Sequence, residues 1–115
     1  MKTGDIIELI VNIPERGLLA GEQGTIVHCH SDSSYEAEFM NEHGETIDFL
    51  ALRTEQFIVV WRVDTQAWVP LTDLVSALIT KMPQESAQEV FDFARFLSWR
   101  SRVPALEKAA FELAE

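Results

Sequence analysis

Residues 35–52 read "YEAEFMNEHGETIDFLAL". Tyr35, Ala37 and Phe39 alternate with Glu36 and Glu38, the period-two pattern of a half-buried strand. "NEHG", residues 41–44, ends in Gly44, a residue free to take positive φ in a hairpin connection. "ETIDFLAL" then groups Ile47, Phe49 and Ala51 on one face, with Asp48 on the other. Two strands joined by a tight turn place this region in an antiparallel sheet.

The same period extends in both directions. In "DIIELIVNIP", residues 5–14, Ile7, Leu9, Val11 and Ile13 share one face, and Glu8 and Asn12 take the other. "PERGLLAGEQG" follows, and Gly17, Gly21 and Gly24 are turn residues. A strand is expected over Thr25–His30, and "SDSS" turns the chain into Tyr35. "RTEQ", residues 53–56, reads as a short helical turn. "FIVVWRV" supplies a fifth strand, with Phe57, Val59, Trp61 and Val63 in register. Five short strands linked by tight turns predict a small, strongly bent barrel of SH3-like type over residues 1–63.

The periodicity changes after Asp64. "DTQAWVP", residues 64–70, reads as a linker. Leu71, Leu74, Val75, Leu78, Ile79 and Met82 then recur at helical spacing. Pro83 breaks that pattern and suits the start of a second helix. In "ESAQEVFDFARFLSWR", Ala87, Val90, Phe91, Ala94 and Leu97 form a stripe that Phe93 and Phe96 widen. A helical hairpin is expected over 71–102. Pro104 is expected to close it, leaving a short helical tail over 103–115. The predicted fold class is α+β.

"GTIVHCH", residues 24–30, places two histidines around the single cysteine, and all three are zinc-ligand types. On a strand, His28 and His30 point one way and Cys29 the other, so the three cannot share one ion. Cys29 and Val27 are expected to face the interior, where Cys acts as a small hydrophobe, with Ile26 on the outer face. No catalytic set, cofactor motif or metal site is therefore expected. Glu36 and Glu38 form a solvated acidic face, Ser31, Ser33 and Ser34 lie in a turn without an elbow motif, and the glycines do not match a phosphate-binding loop. Arg95, Arg100 and Arg102 complement the end of a helix dipole.

The formal net charge is −10. Residues 1–64 hold 12 acidic and 4 basic side chains, and residues 65–115 hold 7 and 5. So acidic a first half repels nucleic acid and attracts a basic partner. The longest apolar run, Phe57–Trp61, is far below the roughly 18 residues of a membrane helix. The lone cysteine offers no disulfide framework, and the opening "MKTGDIIELIV" is a poor signal peptide. A soluble cytoplasmic protein without a membrane partner is expected. Six aromatic residues, Trp61, Trp68, Phe91, Phe93, Phe96 and Trp99, exceed what two short helices can hide. Some are expected to pack on the barrel or to anchor a partner.

Two stretches resemble known families. "IIELIVNIPERGLLAGEQGTIVHCH…YEAEFMNEHGETIDFLALRTEQFIVV" resembles a family of short uncharacterised bacterial proteins with an SH3-like barrel, over residues 4–60. "LVSALITKMPQESAQEVFDFARFLSWRS" is similar to the short helical domain of antitoxin-like proteins from bacterial toxin–antitoxin pairs. Glu85, Glu89, Val90, Asp92, Phe93, Phe96 and Leu97 match its pattern, and Met82-Pro83 stands where that family has Leu-Pro. The resemblance implies a non-enzymatic, antitoxin-like or immunity-like module that masks a basic protein. The interface expected for it comprises Phe93, Phe96, Trp99, Trp68, Glu36 and Glu38, and the Phe93/Phe96/Trp99 face also suits homo-oligomer formation. The second expectation is an accessory subunit of a larger enzyme complex, docking through the barrel.

Overall fold

The computed structural model describes the backbone of residues 1–114 and the side chains of residues 1–102. The chain is α+β: a six-stranded antiparallel sheet followed by two helices. The strands are β1 (Ile6–Leu9), β2 (Gln23–Cys29), β3 (Ser34–Met40), β4 (Thr46–Arg53), β5 (Phe57–Arg62) and β6 (Ala67–Trp68). Their order in the sheet is β4-β3-β2-β1-β5-β6. The first four strands form a meander, and β5 returns to the free side of β1 after the 3-10 turn Thr54–Gln56.

β6 is a sixth strand inside the expected linker. It pairs Trp61 with Trp68 and Arg62 with Ala67. The turn before it holds Gln66 at φ 49°, the left-handed region. Two paired residues are too few for periodicity to register, so composition alone reads them as linker.

The core lies on one face of the sheet. It comprises Ile7, Leu9, Ile13, Leu18, Ile26, Tyr35, Ala37, Phe39, Leu52 and Phe57, with Leu50 and Val59 packed against it. Tyr35 and Phe57 meet edge to face at 5.9 Å between ring centroids. Two strands, β2 and β1, lie between theirs, a separation of about 14 Å in a flat sheet. The sheet is therefore strongly bent around its core. Arg16 reinforces the bend from the loop after β1: its Nη1 donates to both carboxylate oxygens of Asp48 on β4, each at 2.9 Å.

Four faces differ from those the alternation predicts. On β5, Phe57, Ile58 and Val60 are buried while Trp61 pairs with Ile6 on the outer side, whereas the alternation puts Phe57, Val59, Trp61 and Val63 on one face. Register shifts between Ile6 and Ile7, between Ile26 and His28, and between Phe39 and Met40 explain part of this. On β2, Gly24 and Ile26 take the inward positions, so Ile26 is buried and Val27 is exposed. Beyond the shift, His28, Cys29 and His30 lie past the core at the end of the sheet, and Cys29 is exposed. Cys29 pairs with the core residue Tyr35 and so keeps the inward side expected from the sequence, but it is exposed rather than buried. On β4, Leu50 and Leu52 face the core, while Ile47, Phe49 and Ala51 share the exposed face. Asp48 occupies core parity at the mouth of the strand because Arg16 neutralises it there. β1 behaves as expected as far as Leu9, but Val11 is exposed.

Asp5 is the buried charged residue of the described part, 2% exposed. Its Oδ2 accepts from the backbone N–H of Lys2 and its Oδ1 from that of Val63, both at 2.9 Å. One carboxylate thus joins the turn before β1 to the end of β5.

The helices are α1 (Leu71–Thr80) and α2 (Gln84–Ala114). Pro70 precedes α1, and Pro83 precedes α2 and accepts its first helical hydrogen bond, from Ala87 at 3.0 Å. The tail expected over 103–115 lies outside the described side chains, and the assigned helix runs on to Ala114 without a break at Pro104. The chain divides into two compact units, Met1–Leu78 and Ile79–Glu115.

Candidate functional site: the outer sheet face and the aromatic face of the second helix

In an antiparallel sheet, directly paired residues point to the same side. The pairings place one row of side chains across all six strands: Phe49, Glu38, Thr25, Ile6, Trp61 and Trp68. The row runs along the face away from the core. Its two ends are apolar and exposed, Phe49 at 50% and Trp68 at 61%. Its centre is an open depression of about 190 Å³ lined by Ile6, Gln23, Gly24, Thr25, Glu38 and Met40.

Glu38 is the charged group of this row. Its Oε2 accepts from the Thr46 hydroxyl at 3.0 Å, which holds the carboxylate on the face. Glu36 lies one pair further along, opposite His28 on β2 and Ala51 on β4. Met40 and Ile47 add exposed apolar surface. The result is carboxylates embedded among apolar and aromatic groups on a rigid sheet. Such a surface suits a cationic side chain with an apolar stem, because charge and stem are matched together.

Three of the sequence-predicted residues therefore share this face: Glu36, Glu38 and Trp68. Sequence reasoning missed Phe49, Ile6 and Trp61 as their neighbours. The available signal was the even spacing of Ile47, Phe49 and Ala51, which fits an apolar outer face as well as an inner one.

In the histidine–cysteine stretch, the His28 and His30 rings meet edge to face at 4.4 Å, and His30 Nε2 lies 3.6 Å from Glu36 Oε2. Among the described residues, no three His, Cys, Asp or Glu side chains converge as a metal-holding group. The exposed Cys29 carries a direct prediction. Its thiol reacts completely with a thiol-specific reagent in the native protein. A thiol that reacts only after denaturant is added would place it back in the core.

The other predicted residues lie on α2. Phe93 is 61% exposed, Phe96 48% and Trp99 60%. Phe93 and Phe96 stack at 6.3 Å, and Phe96 and Trp99 meet at 6.4 Å. Arg95 caps the Phe91 ring at 4.7 Å and Arg100 the Phe96 ring at 5.7 Å, both within cation–π reach. Asp92 accepts from Gln88 at 3.0 Å and from Arg95 at 2.8 Å, so its charge is used within the helix. Among the described residues, no helix is long and apolar enough to cross a membrane.

Residues 4–59 match the model of a family described as Domain of unknown function (DUF4926). The matched span runs from the turn before β1 into β5, so the sheet carries the match. No curated protein and no solved structure matches the chain.

Proposed function

We propose that the chain is a non-enzymatic protein-binding module, antitoxin-like or immunity-like, whose outer sheet face covers a basic protein. The observation behind this is the row Phe49–Glu38–Thr25–Ile6–Trp61–Trp68, an aromatic-ended band with a carboxylate beside its Phe49 end. Residues 1–64 carry 12 acidic against 4 basic side chains, so the surrounding field favours a cationic partner and disfavours nucleic acid. Masking is steric and electrostatic: the partner's basic surface is neutralised and its apolar rim desolvated between Phe49 and Trp68. Within this reading the sheet is a small barrel of SH3-like type. Its strand order, the 3-10 turn before β5 and the Tyr35–Phe57 contact across the core support that. The setting proposed is cytoplasmic.

The test is affinity purification of the tagged chain from its host at native level, with mass spectrometry of what co-purifies. A stoichiometric basic protein is expected, released by moderate salt. Glu36→Lys with Glu38→Lys should weaken its binding at least about tenfold, since reversal of facing charges costs several kcal/mol. Phe49→Ala with Trp68→Ala should weaken it comparably. A partner retained by both double variants sinks the assignment of the face. Subunits of a large complex in place of one basic protein would favour the accessory reading.

A further inference from the structure

α2 departs from an ordinary surface helix. Phe91, Phe93, Phe96 and Trp99 are all exposed, and they do not fall on the half-buried positions Ala87, Val90 and Leu97. A helix apolar on more than one side is stable in water only when further surface covers it. What covers it follows from the order of residues along one line. Glu89, Phe93, Phe96 and Arg100 are separated by four, three and four positions, the spacing of a helix-pairing seam. The contacts agree with that spacing: Phe93 stacks on Phe96 at 6.3 Å, and Arg100 lies over Phe96 at 5.7 Å.

This seam is its own complement when reversed. Run antiparallel to a copy of itself, Glu89 faces Arg100 and Phe93 faces Phe96, and the same pairs recur on the other side of the two-fold axis. In a parallel pair, each charge would instead face its like. The wider charge pattern has the same symmetry. Glu85, Glu89 and Asp92 precede both phenylalanines, and Arg100 and Arg102 follow both. A self-complementary patch of this kind is what a two-fold interface requires.

We infer that α2 is a homodimerisation element, pairing antiparallel with a second copy through Glu89, Phe93, Phe96 and Arg100. The inference stands apart from the sheet face, since none of its four residues belongs to the binding row. Dimerisation would present two such rows in one particle.

The experiment is sedimentation of the full chain over a concentration series. A species of twice the 13.1 kDa chain mass is expected in reversible exchange with monomer. Glu89→Arg alone and Arg100→Glu alone each set like charges together twice, and each should weaken the dimer about tenfold or more. Both positions are exposed, so circular dichroism should show the fold retained. Mixing the two single variants restores association, because both seam charges of one chain are then basic and both of the other acidic. The combined E89R/R100E chain should also dimerise. A chain that stays monomeric throughout the series overturns the inference. So does a dimer whose strength the single reversals leave unchanged, or a mixture that fails to associate.

Discussion

Asp5→Ala lowers the free energy of unfolding by about 3 kcal/mol, read from urea denaturation. The carboxylate accepts two backbone N–H groups, from Lys2 and from Val63, at 2.9 Å each. Asp5 itself is 2% exposed, so neither donor regains water freely when the side chain is cut back. Hydrogen bonds to charged groups contribute about 1.5–3 kcal/mol apiece, and the orphaned donors set the upper part of the loss. Asp5→Asn keeps one acceptor oxygen and turns an amide donor toward the second N–H, so about half the loss is expected. A loss under about 1 kcal/mol for the alanine variant would mean that solvent reaches the site, and that the carboxylate is not what joins the start of β1 to the end of β5.

Gly24→Ala should cost about 2–3 kcal/mol, and Gly24→Val should prevent folding at ambient temperature. Gly24 lies on β2 beside Phe39 of β3, and the ring lies over the glycine. An added Cβ would stand 2.8 and 2.9 Å from two ring carbons and 3.0 Å from the Glu38 carbonyl oxygen. The ring cannot swing aside, because Phe39 is 1% exposed within the core. The backbone carbonyl cannot move without loosening the ladder. Combining Gly24→Ala with Phe39→Leu should cost less than the sum of the two single changes, since the smaller side chain makes room. Strict additivity in urea melts would show that the two positions are not in contact.

The parts of the fold legible in the sequence are those where one periodicity dominates. Tyr35, Ala37 and Phe39 alternate against two glutamates, and all three are in the core. Ile7 and Leu9 behave likewise. The helices begin after Pro70 and Pro83, where proline's fixed φ and missing N–H demand a boundary. The facing of β4 is not legible, because "TIDFLAL" is apolar at both parities and the one acid, Asp48, sits on the core side. Only the ion pair with Arg16, 32 residues away in sequence, makes that placement tolerable. On β2 a register shift defeats alternation: Ile26 rather than Val27 enters the core, and Cys29, though paired with Tyr35, stays exposed. The candidate row is half visible. Glu36, Glu38 and Trp68 stand out as residue types, but their alignment depends on pairings across five ladders, which no local pattern encodes.

The position of β1 bears on how the chain acquires its structure during synthesis. The strand made first lies in the interior of the sheet, between β2 and β5. Its pairing with β2 can form early, but its other edge stays open until Phe57–Arg62 has been made. Contacts of such long sequence separation are slow to close. A nascent chain stopped before β5 exposes the backbone of Ile6–Leu9 and lacks Phe57, which completes the contact with Tyr35. Truncated translation products ending within β4 should therefore bind chaperones and aggregate, while those extending past Arg62 should resist protease.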